Sequence, residues 1–131
     1  MASGCRKDLD LDSDTFFGVK ELLKSKNCEA DCGETASCEG KIVKIKGKID
    51  ENNINEDVST FFILDEKDED YSISVEVEAS CKEETFDKIR TKGGHGIKIE
   101  AKIQGFDMPV NFSCSRGFVL KLEEADKITV E

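Results

Sequence analysis

The sequence has no tryptophan, one proline and one histidine, and its 19 basic residues are outnumbered by 29 acidic ones. The resulting formal net charge of −10 makes long-range attraction to a nucleic-acid backbone unfavourable. No apolar run approaches the roughly 20 residues that span a bilayer. The one histidine, His95, stands between two glycines, and no nucleophile elbow, phosphate loop or metal-binding helix motif occurs. These absences favour a binding protein over an enzyme and predict neither a cofactor nor a metal site.

The N-terminus predicts a leader followed by one domain. Residues 1–14 are mostly polar and are predicted to be flexible, and residues 15–131 have the size of a single domain. The opening residues Met1-Ala2-Ser3-Gly4-Cys5 resemble the end of a bacterial lipobox, where small residues precede a cysteine that becomes lipidated. Cys5 is therefore predicted to carry a lipid on an extracytoplasmic protein whose signal segment precedes Met1. The alternative is a cytoplasmic protein in which Cys5 is incidental.

Six cysteines are many for a domain of this size, and three of them crowd into residues 28–38. A zinc site needs four ligands, usually from two cysteine pairs, and a second such pair is missing. Disulfides fit better, because cross-links restrict the unfolded chain where apolar residues are few. The predicted disulfide cysteines are Cys28, Cys32, Cys38, Cys81 and Cys114. With Cys5 lipidated they allow two bridges and one spare thiol, and otherwise three bridges are possible. The connectivity stays open, and reduced thiols in a cytoplasmic protein are the alternative.

Alternating apolar and polar residues predict five strands, each with one buried face. The strands are predicted at residues 41–49, 60–64, 71–79, 97–103 and 118–130, the last interrupted near 123–126. Helical spacing predicts an N-terminal helix over 16–23 and a short helix over 83–92. Polar residues predict a loop over 50–57, and Gly105 to Pro109 predict a turn. Gly47 inside the first strand predicts a bulge or a bend.

Three strands, a helix and two further strands follow the order of an OB-fold, a five-stranded Greek-key barrel. The run CEGKIVKIKGKID resembles the first strand of small OB-fold domains of the tRNA-anticodon-binding-like kind. FFILDE and YSISVEVE are similar to their second and third strands, and KGGHGIKIEAKIQGF resembles the fourth. The helix around Glu21-Leu22-Leu23 is similar to one in secreted bacterial members, several of which are lipoproteins. The resemblance implies a mainly β, five-stranded OB-fold-like barrel and leaves function open.

Four residues are candidates for ligand binding, because OB-folds bind oligonucleotides across strands 2 and 3 with exposed aromatic and basic side chains. Adjacent Phe61 and Phe62 cannot both point inward in a regular strand, and Phe61 is predicted to be the outward one. Lys44 and Lys46 lie on the outward side of the first strand, and Arg116 precedes the fifth.

A structural role competes with ligand binding for the lysines. Outward Lys98, Glu100 and Lys102 on the fourth strand would pair with them across a solvated sheet face. Numerous acidic residues in the neighbouring loops would also repel a phosphate backbone.

The sequence predicts a non-catalytic binding module of the bacterial envelope whose ligand is a protein, a peptide or a saccharide. The alternative is an OB-fold subunit of a nucleic-acid-associated complex, or a weak binder of single-stranded nucleic acid. Membrane contact is expected only through the lipid on Cys5, and the oligomeric state stays open.

Overall fold

The computed structural model describes residues 8–131, so the predicted lipidation site Cys5 lies outside the described residues. The strands are β1 (Phe17–Gly18), β2 (Ile42–Asn55), β3 (Thr60–Leu64), β4 (Ser72–Val77), β5 (Gly96–Val110), β6 (Ser113–Leu122) and β7 (Ile128–Val130). The α-helices are α1 (Val19–Leu23) and α2 (Lys82–Ile89). No helix within this range is both long and apolar enough to cross a bilayer.

Five of the strands form a ring that hydrogen bonds close, in the order β2, β3, β4, β6, β5 and back to β2. Neighbours in the ring are antiparallel except β4 and β6, which run parallel. Outside the ring, β1 pairs in parallel with β2, and β7 pairs antiparallel with β5. The protein is thus mainly β, with a seven-stranded mixed sheet and few helices, and α2 connects the third ring strand to the fourth as predicted.

The core fills the ring because alternate side chains of each ring strand point inward. The largest fully buried side chains are Phe61, Phe86, Leu22, Ile45, Ile49, Ile63, Ile89, Ile97, Ile99, Ile103, Leu120 and Leu122. Gly47 allows a close approach within this ring, since a Cβ there would lie 2.4 Å from the Leu64 carbonyl oxygen. The irregular pairing of β2 with β3 falls later, between Ile49 and Ile54, so the bulge is not at Gly47, and the alternative of a bend there stays a prediction.

Several element bounds differ from the predictions because backbone pairing continues where the apolar alternation stops. β2 runs on through the predicted loop 50–57 as far as Asn55. β5 passes through the predicted turn at residues 105–109, and the chain reverses instead at Asn111, whose φ is 56°. The predicted fifth strand is two strands, since β7 pairs with β5. The N-terminal helix begins only at Val19, because Phe17 and Gly18 pair with β2.

The described part of the predicted flexible leader packs on the domain. Leu11 is buried, and the backbone N–H of Leu9 donates to the Asn27 side-chain oxygen at 2.7 Å. The Asn27 side-chain amide donates in return to the Leu9 carbonyl.

Candidate binding groove

A groove of about 780 Å³ lies where the β5–β6 hairpin extends past the ring. We call residues 105–118 the hairpin arm and residues 28–34 the tether segment. The arm forms one side of the groove and the tether segment forms the other. The lining residues are Leu23, Cys28, Glu29, Ala30, Asp31, Glu34, Ser72, Phe106, Met108, Cys114, Ser115, Arg116, Gly117 and Phe118.

Two disulfides hold the tether segment in place. Cys28 bonds to Cys38 with a Cα–Cα distance of 5.4 Å, and Cys32 bonds to Cys114 of the arm with a Cα–Cα distance of 5.9 Å. The second bond joins the two sides of the groove across 82 positions of sequence. Two disulfides indicate an oxidising, extracytoplasmic environment.

Cys81 was predicted among the disulfide cysteines, and for this residue the structure gives a correction. Within residues 8–131 its thiol is free, and it is buried at the start of α2. Its sulfur lies 3.6 Å from the carbonyl oxygens of Glu78 and Leu122, so it packs against local backbone. Cys81 is therefore the spare thiol of the two-bridge alternative.

Arg116 joins the arm to the chain that follows the tether segment. Its Nη2 and Nε donate to the two carboxylate oxygens of Glu39 at 2.5 and 3.1 Å. The Ala36 N–H donates to the same carboxylate at 2.6 Å. Gly105 leaves space for this group, since a Cβ there would lie 2.3 Å from a Glu39 oxygen. The hydrogen bond from Arg116 is the main reason why the pKa of Glu39 lies below its usual value, and it raises the pKa of Arg116.

Asp107 extends this network to the tether segment itself. One of its carboxylate oxygens accepts a hydrogen bond from the Gly33 N–H at 2.9 Å and another from Arg116 at 2.9 Å. The bond from Gly33 is the larger cause of the lowered pKa of Asp107, and the bond from Arg116 is the next. The arm is thus fixed by one covalent bond and by charged hydrogen bonds on both sides of Arg116.

Apolar side chains remain exposed on the arm. Phe106 is 40% exposed and Met108 is 42% exposed, and both line the groove. The Phe106 ring rests over Gly117, where a Cβ would lie 2.6 Å from the ring. Phe112 at the tip of the hairpin is fully exposed. The arm therefore presents thioether and aromatic surface that the core leaves uncovered.

The tether segment gives the groove an acidic side. Glu29, Asp31 and Glu34 all line it, and the Glu34 carboxylate accepts a hydrogen bond from the Asp31 N–H at 3.0 Å. Among the lining residues the one cation is Arg116, whose charge is met by the two carboxylates described above. The groove thus combines an apolar side with an acidic side.

The structure contradicts the predicted exposure of Phe61. Its side chain is 0% exposed, and its ring meets the edge of the Phe86 ring at 6.2 Å between centroids. In the sheet register Phe61 stands opposite inward Val75, whereas the half-buried Phe62 stands opposite Ser74 on the outer face. The prediction chose the wrong member of the pair, because both residues are equally apolar.

The other candidate residues do not converge on one site. Lys44 donates to Asp14 at 3.0 Å and lies over the Phe16 ring, which also lies near Lys98. Lys46 is exposed on the outer face of β2, opposite Lys98 of β5. Arg116 lies in the groove, yet its side chain is only 13% exposed and already bound by carboxylates. The structure therefore assigns Arg116 to holding the arm.

Phe106 and Met108 were missed because residues 105–109 were interpreted as a turn. The two residues are spaced by two, as in a strand, but they are out of phase with the inward residues Ile97 to Ile103, so the alternation of the fourth predicted strand does not extend to them. Within residues 8–131 no group of three or more His, Cys, Asp or Glu side chains is arranged to hold a metal ion.

Comparison with known proteins gives a likeness of fold. No protein-family model matches the sequence, and no curated protein matches it. A crystal structure from Leishmania major Friedlin, of a protein assigned as an aspartyl-tRNA synthetase, resembles this structure with a TM-score of 0.51 at 17% sequence identity. The likeness covers 95% of this chain and 23% of that one, so this chain spans about a quarter of the other's length. At this identity the similarity shows the fold alone.

Proposed function

We propose that this chain is an OB-fold binding module of an extracytoplasmic compartment that binds a peptide, or an exposed segment of a protein, in the groove. The observation that carries the proposal is the exposed pair Phe106 and Met108 in a concave site fixed by a disulfide. Apolar side chains that stay exposed in a preformed concavity are typical of binding sites. Methionine and aromatic residues are also enriched at protein interfaces.

The OB-fold part of this proposal is supported by the closed five-stranded ring, with one parallel contact between β4 and β6, and by α2 in the predicted place. The extracytoplasmic part rests on the disulfides.

The lipobox resemblance of the first five residues extends the proposal to a lipid anchor on Cys5, in a bacterial envelope. Mass spectrometry of the protein from its native membrane tests that anchor through the mass of a diacylglyceryl group on Cys5.

A peptide suits the groove better than a nucleic acid does. The side chains of Glu29, Asp31 and Glu34 would repel phosphates, and the arginine of the groove is held in ion pairs. A nucleic-acid-associated role is the second candidate, and the likeness to part of an aspartyl-tRNA synthetase favours it. A saccharide is the third candidate ligand: the carboxylates of the acidic side offer acceptors for its hydroxyl groups, but Phe106 and Met108 on the apolar side offer it no hydrogen-bond donor.

Selection from a library of random linear 12-residue peptides tests the proposal. The wild-type protein is expected to enrich peptides that bind at least tenfold more weakly to the Phe106→Ala and Met108→Ala variants. Ile42→Ala is the matched control, because Ile42 is 52% exposed and lies outside the groove. Fluorescent oligonucleotides of about 20 nucleotides are titrated in parallel over a range of salt concentrations.

Enriched peptides that bind the Phe106→Ala variant unchanged would refute the groove as the site. Micromolar, salt-weakened oligonucleotide binding without any peptide enrichment would favour the second candidate.

A further inference from the structure

The β6 edge that borders the groove has no strand beside it in the part of the chain that the structure describes. β4 pairs with β6 from Ser74, opposite Val119, to Val77, opposite Leu122. The residues of β6 that precede Val119 in sequence, from Ser113 to Phe118, pair only with β5. Five consecutive residues of this lower part, 114–118, line the groove. The groove therefore runs along an open strand edge.

Backbone groups on this edge face the groove. The N–H of Glu78 donates to the Leu122 carbonyl at 3.0 Å on the β4 side of β6. Alternate residues of a strand direct their backbone groups to the same edge, so those of Arg116 also face away from β5. The hydrogen bonds of β5 agree with this assignment. The backbone of Ile103 bonds to Gly40 and Lys41 on the β2 side, so the backbone groups of its sequence neighbours face β6. An unpaired edge of this kind is a template for an added strand.

We propose that the groove binds its ligand as an added β-strand in which apolar and basic residues alternate. This inference rests on the proposed peptide-binding function. The strand would lie in line with β4, below Ser72, which also lines the groove. In the parallel register of β4 with β6, Ser72 stands level with Gly117, so the open edge from Cys114 to Arg116 accommodates about three residues of extended chain at about 3.3 Å per residue.

The two sides of the groove determine which side chains fit. Successive side chains of a strand point to opposite sides. One side offers Phe106 and Met108, which suit apolar residues, and the other offers Asp31 and Glu34, which suit lysine or arginine. Charge complementarity thus selects a basic peptide and rejects an acidic one.

Fluorescein-labelled heptapeptides test this mode directly. The alternating lysine–valine heptapeptide is expected to bind at least tenfold more tightly than the glutamate–valine heptapeptide of the same length. N-methylation of alternate residues gives two isomers, and only one of them is expected to lose binding, because only every second amide of an added strand faces the protein. The amide proton of Arg116 is expected to become protected from exchange when the lysine–valine peptide binds.

The double variant Asp31→Lys plus Glu34→Lys is expected to reverse the preference between the two heptapeptides. Asp57→Lys plus Glu66→Lys makes the same change of charge at exposed positions outside the groove, and it is expected to leave the preference unchanged.

The inference is overturned if neither heptapeptide binds, if both methylated isomers bind like the parent, or if the acidic and basic peptides bind equally. In those cases the proposed function still holds if peptides selected from the library bind the Phe106→Ala variant more weakly than the wild type. If the selected peptides bind both proteins equally, the proposed function is refuted as well, so the two failures are distinguishable.

Discussion

Removal of the Cys32–Cys114 disulfide is expected to cost about 4.5 kcal/mol of unfolding free energy at 25 °C. The bond spans 82 positions, and the chain-entropy relation for a loop of that length gives this value. Cys114 is exposed and Cys32 is half-buried, so replacing both cysteines by alanine removes little packing, and the lost cross-link accounts for most of the effect. For the Cys28–Cys38 pair, separated by 10 positions, the same relation gives only about 2.7 kcal/mol.

Urea unfolding followed by circular dichroism measures the loss of unfolding free energy in each double variant. With a slope of about 1.5–2 kcal/mol per molar urea, the transition midpoint of the Cys32→Ala plus Cys114→Ala variant is expected to fall by about 2–3 M. The slope itself is expected to rise, because the unfolded chain without the cross-link is less compact.

The comparison variant is Cys28→Ala plus Cys38→Ala, whose loss is expected to exceed the chain-entropy value because, unlike Cys114, both of these cysteines are buried. A loss below about 1.5 kcal/mol for the long-range pair, with an unchanged slope, would refute the entropic argument. It would mean that the unfolded chain keeps the arm and the tether segment together without the bond.

Three further predictions concern the core, the acid stability and the spare thiol. Phe61→Ala is expected to destabilise the protein by about 3–5 kcal/mol in urea unfolding, and Phe62→Ala by clearly less, because Phe61 is fully buried; equal losses would contradict the register of β3. The pKa of Glu39 is lowered in the folded state, so its contribution to stability is present above the usual value of 4.5 and is lost as pH falls through the folded pKa. Thermal unfolding of Glu39→Gln is therefore expected to depend less on pH below about 4.5 than that of the wild type, and parallel curves would argue against the Arg116 ion pair. The buried thiol of Cys81 is expected to react with a thiol reagent only after denaturation, and fast labelling of the native protein would show that the start of α2 is open.

The five-stranded core was predictable because one apolar face repeats along each ring strand. Val75 and Val77 in β4, and Ile97 and Ile99 in β5, follow the period of two, and all four are buried as expected. The helix that carries Phe86 was found from its spacing and its terminal glycines. The mistaken prediction that Phe61, and not Phe62, points outward shows the limit of the pattern. A shift of one residue inverts a strand, and two adjacent phenylalanines give no sign of which points inward.

The candidate site was less accessible to the sequence, for two physical reasons. Six cysteines can pair in fifteen ways, and the sequence does not choose among them. Only the fold shows that Cys32 lies next to Cys114 and that Cys81 has a free thiol. The hairpin arm also buries neither face completely, so it lacks the alternation of buried residues by which strands are recognised. Its extended conformation comes instead from cross-strand hydrogen bonds such as those that pair Phe106 with Gly117.

The way in which the arm is held bears on its function. A two-stranded hairpin that extends beyond its sheet is only marginally stable in water, and most proteins would secure it by packing apolar side chains beneath it. Here Phe106 and Met108 stay substantially exposed, while the Cys32–Cys114 bond and the carboxylates around Arg116 hold the arm from its edges. Covalent and ionic fixation therefore replaces hydrophobic burial at this position. Because the arm is ordered without consuming its apolar surface, that surface stays exposed, and the proposed peptide would meet a site that is already ordered before it binds.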